Sequence, residues 1–242
     1  MIDLGHNLIA PSAQMRNLGI KQMSGVLYQM SVKIDFNLSE VAAQVTEAEI
    51  RAVEAIKGLF TQQVLSDVAK LFAGCQGKVL VTGSGTSGAV ATRAAHLLSV
   101  CGTPAFHLSP GDGLHGGLGV LTEHDIILAF SKGGSSLELN EFCQRGRTLA
   151  NHLVVVTANP GSPLSQLADH VLHIPLEQDC DLGGVIATGC TLSFSALTDV
   201  LVEITRRLRG YEWESFFYTH PAGAVGKHAE DSLKRLHHGE QR

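Results

Sequence analysis

VLVTGSGTSG, residues 79–88, is an apolar run that breaks into a loop carrying three glycines. Val79 to Thr82 has the β-branched, unalternated character of a strand covered on both faces. Gly83, Gly85 and Gly88 have the GxGxxG spacing of a dinucleotide loop, but a lone match to that short pattern is weak, and the serines and threonine between the glycines suggest another ligand. A dinucleotide site also expects an acidic residue about 20 positions further on to grip a ribose. That region instead reads His107-Leu108-Ser109, and Asp112 comes late. The nucleotide reading is weakened accordingly.

Short runs of the same kind recur at Ala105–Leu108, Ile126–Phe130, Leu153–Val156 and Val171–Ile174. Helical or turn segments separate them: one from about Gly88 to Val100, and one beginning near Ser136 that carries Leu137, Leu139, Phe142 and Leu149. Ser162 before Pro163 reads as a cap and a first-turn proline. This alternation predicts a parallel α/β sheet. Upstream, Val41, Val45, Ala48, Ala52, Ala55, Ile56 and Leu59 recur at helical spacing from Ser39 onward, and Val64, Leu65, Val68, Leu71 and Phe72 form a second stripe ending at Gly74. The apolar stretch Thr188–Leu208 contains Thr191, Ser193, Asp199 and Glu203, too polar for a membrane span; it reads as a long helix buried on the sheet or against another subunit. Residues 1–35 show no sustained period. The expected organisation is a helical N-terminal extension over 1–38, one α/β domain over 39–236 and a polar tail over 237–242.

With 44% apolar and 17% charged residues, the 242-residue chain has the composition of a globular protein. Its formal charge of −5 and lack of a basic run argue against nucleic acid or an anionic membrane as a partner. No signal peptide or membrane span is visible, so the cytoplasm is the default expectation. Five cysteines without a CxxC pair suggest neither a disulfide framework nor a zinc ribbon. The twelve histidines form no HExxH, and two side chains of His170-x-x-His173 would point to opposite faces of a strand, so no metal and no other cofactor is expected.

In an open parallel sheet, ligands bind at the carboxyl ends of the strands. After the first strand come Ser84, Gly85, Thr86 and Ser87; after the third come Ser131, Lys132, Gly133, Gly134, Ser135 and Ser136. Glycine lets the backbone approach an anion, hydroxyls donate hydrogen bonds, and a helix N-terminus adds unpaired N–H groups. Either loop alone could be an ordinary capping turn; two in matching positions make a phosphate cradle. Glu138 stands in the first turn of the following helix, where it could serve as a base, although dipole stabilisation alone favours acids there.

The segments GSGTSG, HLSPGDGLHGGLGVLTEHDIILAFSKGGSSLEL and FFYTHPAGAVGK resemble, in order, the sugar isomerase (SIS) domain of the arabinose-5-phosphate isomerase family. The resemblance implies a five-stranded parallel sheet flanked by helices, a homo-oligomer that is often a tetramer, and a phosphosugar held by the two serine-rich loops. It implies aldose–ketose isomerisation through an enediol, with Glu138, His115 and His220 as the groups that handle protons. Ser84, Thr86, Ser87, Ser131, Ser135, Ser136 and Gln178 are the implied substrate-binding positions, and His220 is implied to reach a neighbouring subunit's pocket. The chain departs from the family in three places: Thr86 stands for a Lys, Gln178 for a Glu, and Gly117 for the Asp after HG. A different sugar, a different acid/base arrangement and lost activity all remain open. So do a carboxylate supplied by Glu177 or Asp179, a cation restored by Lys132, a non-catalytic phosphosugar-binding module, and a lyase or etherase acting on an amino sugar phosphate.

Overall fold

The computed structural model describes residues 36–221 and Leu233. The N-terminal extension, apart from its last three residues, and the polar tail lie outside the described residues.

Five strands form one parallel sheet: β1 (Val79–Gly83), β2 (Ala105–His107), β3 (Ile126–Phe130), β4 (His152–Thr157) and β5 (His170–His173), in spatial order β2-β1-β3-β4-β5. Two helices, α1 (Leu38–Glu54) and α2 (Gln63–Ala73), precede the sheet. The crossovers and the C-terminal part supply α3 (Thr86–Val100), α4 (Pro110–Leu114), α5 (Leu137–Gly146), α6 (Pro163–Leu167), α7 (Gly189–Leu208) and α8 (Trp213–Thr219). Among the described residues no helix is long and apolar enough to cross a membrane.

Both faces of the sheet are apolar because successive side chains point to opposite sides. Val79, Val81, Ile126, Leu128, Phe130, Val154 and Val156 enter one core with residues of α2, α3 and α7; Leu80, Ile127, Ala129, Leu153 and Val155 enter a second with Leu139 and Phe142 of α5 and Leu164 of α6. The central strands lack a polar alternation for this reason.

Two local readings of the sequence need correction. The stripe expected to form one helix through Leu59 leaves the α-helical path after Glu54 and tightens into a 3₁₀ turn over Ala55–Leu59. Leu149 lies beyond the end of α5. His220 is the C-cap of α8, where its Nδ1 lies 3.0 Å from Phe216 O and its ring stacks on Phe216. Ser162 does cap α6, accepting the Ser165 N–H, with Pro163 in the first turn.

Candidate active site

The strand order reverses direction between β1 and β3, which leave their chain neighbours on opposite sides; the crevice at their carboxyl ends is where such a sheet holds a ligand. Gly83 pairs with Phe130, so Ser84 and Ser131 leave adjacent strands at the same level. Adjacent strands run about 4.8 Å apart. The two serine loops therefore start side by side, each feeding a helix N-terminus.

Each loop turns on a glycine with a positive φ, Gly85 at 58° and Gly134 at 64°, a conformation that costs other residues strain. At Gly134 space is closed as well, because an added Cβ would collide with the buried Ser162 side chain that caps α6. The Ser131 hydroxyl accepts the Gly134 N–H at 3.0 Å, and Asn140 Nδ2 donates to Gly134 O at 3.3 Å. Gly134→Ala is expected to destabilise the protein by about 1–3 kcal/mol from backbone strain alone, with the collision added. Urea denaturation would check it, and the same substitution at exposed Gly133, with no neighbour near its Cβ and no positive φ, should cost far less.

Several polar groups near this edge are buried without a hydrogen-bond partner: Ser84 Oγ, Thr82 Oγ1 and His107 Nε2. Buried polar atoms are ordinarily paired, so these are groups that a ligand or water can satisfy. Ser87 is buried in the first turn of α3, whereas Thr86 is exposed. Ser135 is exposed and donates back to Gly133 O at 3.2 Å; Ser136 is the N-cap residue of α5 with no side-chain cap bond.

On the second-core face, α4 packs against α5. Glu138 is exposed in the first turn of α5, and a Cβ on Gly111 would stand 3.3 Å from its Oε1. His115, the exposed C-cap of α4, donates its backbone N–H to Gly111 O. One short helix thus carries the neighbours of both groups. Ser109 caps that helix by accepting the Asp112 N–H, and its hydroxyl donates to Asp112 Oδ2 at 2.6 Å.

The remaining expected residues are distributed differently. Gln178 lies in a 3₁₀ turn over Gln178–Cys180. Its neighbours Glu177 and Asp179 are both engaged by Arg51 of α1, at 3.6 and 2.8 Å, which occupies the two carboxylates that could stand in for the family's Glu. His220 follows α8, whose first residue, Trp213, packs near the C-terminal end of α7. The N-terminus of α7 is tied to the carboxyl edge of the sheet, because Asp181 accepts the Cys190 N–H and meets Lys132. From there α7 runs about 25 Å to Arg206, whose guanidinium lies over Trp213 at the start of α8.

Sequence reasoning misses two features. It marks His107 only as a position lacking an acid, yet this is a half-buried imidazole whose pKa burial pushes down, keeping it neutral. Lys132, a cation of the second loop, has a partner that the sequence does not announce: its ammonium pairs with the sealed carboxylate of Asp181, 49 positions away. Among the described residues no cluster of histidine, cysteine and acidic groups could hold a metal ion.

A family model described as the SIS domain matches residues 73–203, more than half of the chain. Arabinose 5-phosphate isomerase GutQ of Escherichia coli K12 is 34% identical over 170 residues, covering 70% of this chain and 52% of that protein. The chain thus spans about half the length of the curated relatives it matches. A Listeria monocytogenes structure, provisionally called a sugar-phosphate isomerase, is 28% identical, with a TM-score of 0.72 and coverage of 77% of this chain and all of that one. An Escherichia coli CFT073 protein in complex with arabinose 5-phosphate shares the fold, with a TM-score of 0.71 at 23% identity, again over 77% of this chain and all of that one.

Proposed function

The chain belongs to the SIS domain family, and from that premise we propose that it is a phosphosugar aldose–ketose isomerase acting through an enediol. The observation that carries the reading is the pair of serine–glycine loops on adjacent strands at the switch crevice, with Glu138 in the first turn of one emerging helix. The likeness to GutQ supports the same reaction class.

In this reading Ser84, Thr86, Ser87, Ser131, Ser135 and Ser136 bind the anionic group and sugar hydroxyls, aided by the unpaired N–H groups at the starts of α3 and α5. Glu138 moves a proton between C1 and C2. His115 and His220 exchange protons with, or polarise, the carbonyl and hydroxyl oxygens, and Gln178 holds a hydroxyl, since an amide cannot act as a base. His220, which follows α8 and not the serine loops in the chain, serves the pocket of a neighbouring copy in a homo-oligomer, a tetramer in this proposal. The working unit is the domain over 39–236 in the cytoplasm, and the reaction needs no redox cofactor.

The test is incubation in heavy water with pentose, hexose and tetrose phosphates, followed by mass spectrometry and NMR. A single deuterium on the carbon beside the carbonyl, with a ketose appearing, is the expected result. A second reading, phosphosugar binding without catalysis, is favoured by Thr86 and Gln178 standing for the family's charged residues. Thermal stabilisation by one sugar phosphate with no exchange in any of them would establish it and remove the isomerase.

A further inference from the structure

Lys132 leaves β3 one residue past Ser131, and its backbone is held firmly. Its carbonyl accepts the Ala158 N–H at 3.1 Å and the Thr157 hydroxyl at 3.1 Å. Phe130, two residues earlier, points into the core beneath α3 and α7 and meets Phe194 of α7; beyond the strand end, Lys132 turns toward the start of α7, where Asp181 lies. Its ammonium reaches Asp181 Oδ2 at 2.5 Å, and the Asp181 side chain is fully sealed while that of Lys132 remains 38% exposed. The other Asp181 oxygen accepts the Cys190 N–H in the first turn of α7.

We propose that Lys132 is the cation that meets the substrate's phosphate, or an equivalent anionic group, and that Asp181 is the positioning residue that aims it. This rests on the reading of the crevice as a phosphosugar site. Three observations converge. The first loop, Ser84 to Ser87, carries no charged side chain, so a dianion there has no cationic partner of its own. Lys132 supplies one from the second loop, beside Ser131 and on the face shared by α3 and α7, helices that pack together. An ammonium has three N–H donors, and the contact with Asp181 fixes its direction while leaving donors for a ligand on the exposed side.

The charge balance at this point favours an anion despite the aspartate. Asp181 spends one oxygen on the positive end of α7, and the N-termini of α3 and α5 face the same edge of the sheet. The Asp181 contact also raises the pKa of Lys132, so the ammonium stays charged across the physiological range and acts by charge rather than as a base.

The experiment is calorimetric titration of the full chain with arabinose 5-phosphate and with inorganic phosphate at several salt concentrations, for the native protein, Lys132→Gln and Lys132→Arg. Lys132→Gln is expected to weaken arabinose 5-phosphate binding roughly 10- to 100-fold, the range for a lost hydrogen bond to a charged group. The salt dependence of the remaining affinity should flatten. Lys132→Arg, which keeps the charge, should recover much of the loss and the salt dependence. A Lys132→Gln protein with native affinity and salt dependence, whatever its melting temperature, would mean the pair only ties the loop to α7, and the inference fails. It fails equally if the native protein binds neither probe. Binding that depends on Lys132 without proton exchange would leave it standing and remove the isomerase; native exchange at unchanged KM in Lys132→Gln would do the reverse.

Discussion

Glu138→Gln should lower turnover about 10²- to 10⁴-fold, the usual contribution of a positioned general base, while leaving the fold intact. The reasons for both halves are visible at one position. Glu138 is exposed in the first turn of α5, next to Leu139, whose side chain is buried in the core and anchors the helix. Exchanging a carboxylate for an amide there removes a proton acceptor and some favourable dipole interaction, a few tenths to about 1 kcal/mol, and no packing. The check is the rate of deuterium incorporation beside the unfolding midpoint. Native turnover would remove Glu138 from the chemistry. His220→Ala should also be slow, and since the proposal has the two residues of one chain serve different copies' pockets, mixed oligomers of Glu138→Gln and His220→Ala chains should regain part of the activity. Mixtures as inactive as their parents would argue that each pocket is built from one chain.

The largest stability effect is expected at the opposite end of the sheet. Asp125, just before β3, is fully buried. It accepts the Lys78 N–H at 2.8 Å and the Lys78 ammonium at 2.7 Å, together with the Thr122 N–H at 2.7 Å and the Thr122 hydroxyl at 3.0 Å. One carboxylate thus joins the entrances of β1 and β3, the central pair of the sheet. Asp125→Ala should cost about 3–5 kcal/mol, the range for breaking a buried pair and leaving its partners unsatisfied, measured by urea denaturation. Burial alone would raise the Asp125 pKa; the bonds from Lys78 and Thr122 outweigh it and hold the carboxyl below its ordinary value of 3.8. The unfolded chain therefore binds the proton more readily than the folded one. This contribution is fully present well above pH 3.8 and is lost as pH falls through the folded-state value. The Ala variant should accordingly lose less stability on acidification than the native protein. Equal acid sensitivity of the two would show that Asp125 is not the group responsible.

Much of the architecture is legible in the sequence because it depends on local chemistry. The five strands are runs of Val, Ile and Leu without polar alternation, which only a sheet covered on both faces can bury, and each begins or ends within two residues of the expected place. Ser162 and Pro163 declare a helix start because capping and proline geometry are decided within four residues. The two serine loops are visible for the same reason, since glycine and hydroxyls at the end of an apolar run report a strand feeding a helix N-terminus. Where local preferences conflict, the reading slips. The stripe through Leu59 keeps helical spacing, yet the chain tightens at Ala55, and Leu149 continues the apolar pattern of α5 after the helix has ended.

The sequence by itself determined the class of the fold and the two loops that face the crevice, because periodicity, capping and glycine placement act over a few residues. Only the tertiary structure decided who meets whom. It gave Lys132 a partner in Asp181, assigned Glu177 and Asp179 to Arg51, brought Glu138 beside Gly111, and set the start of α8, the helix that His220 ends, against Arg206 of α7. Strand order decides these meetings: β5 and the loop after it lie two strands from β3, and no spacing along the chain encodes that distance. A lysine's charge is written in the sequence, but its direction is set by the buried carboxylate that the folded sheet presents to it.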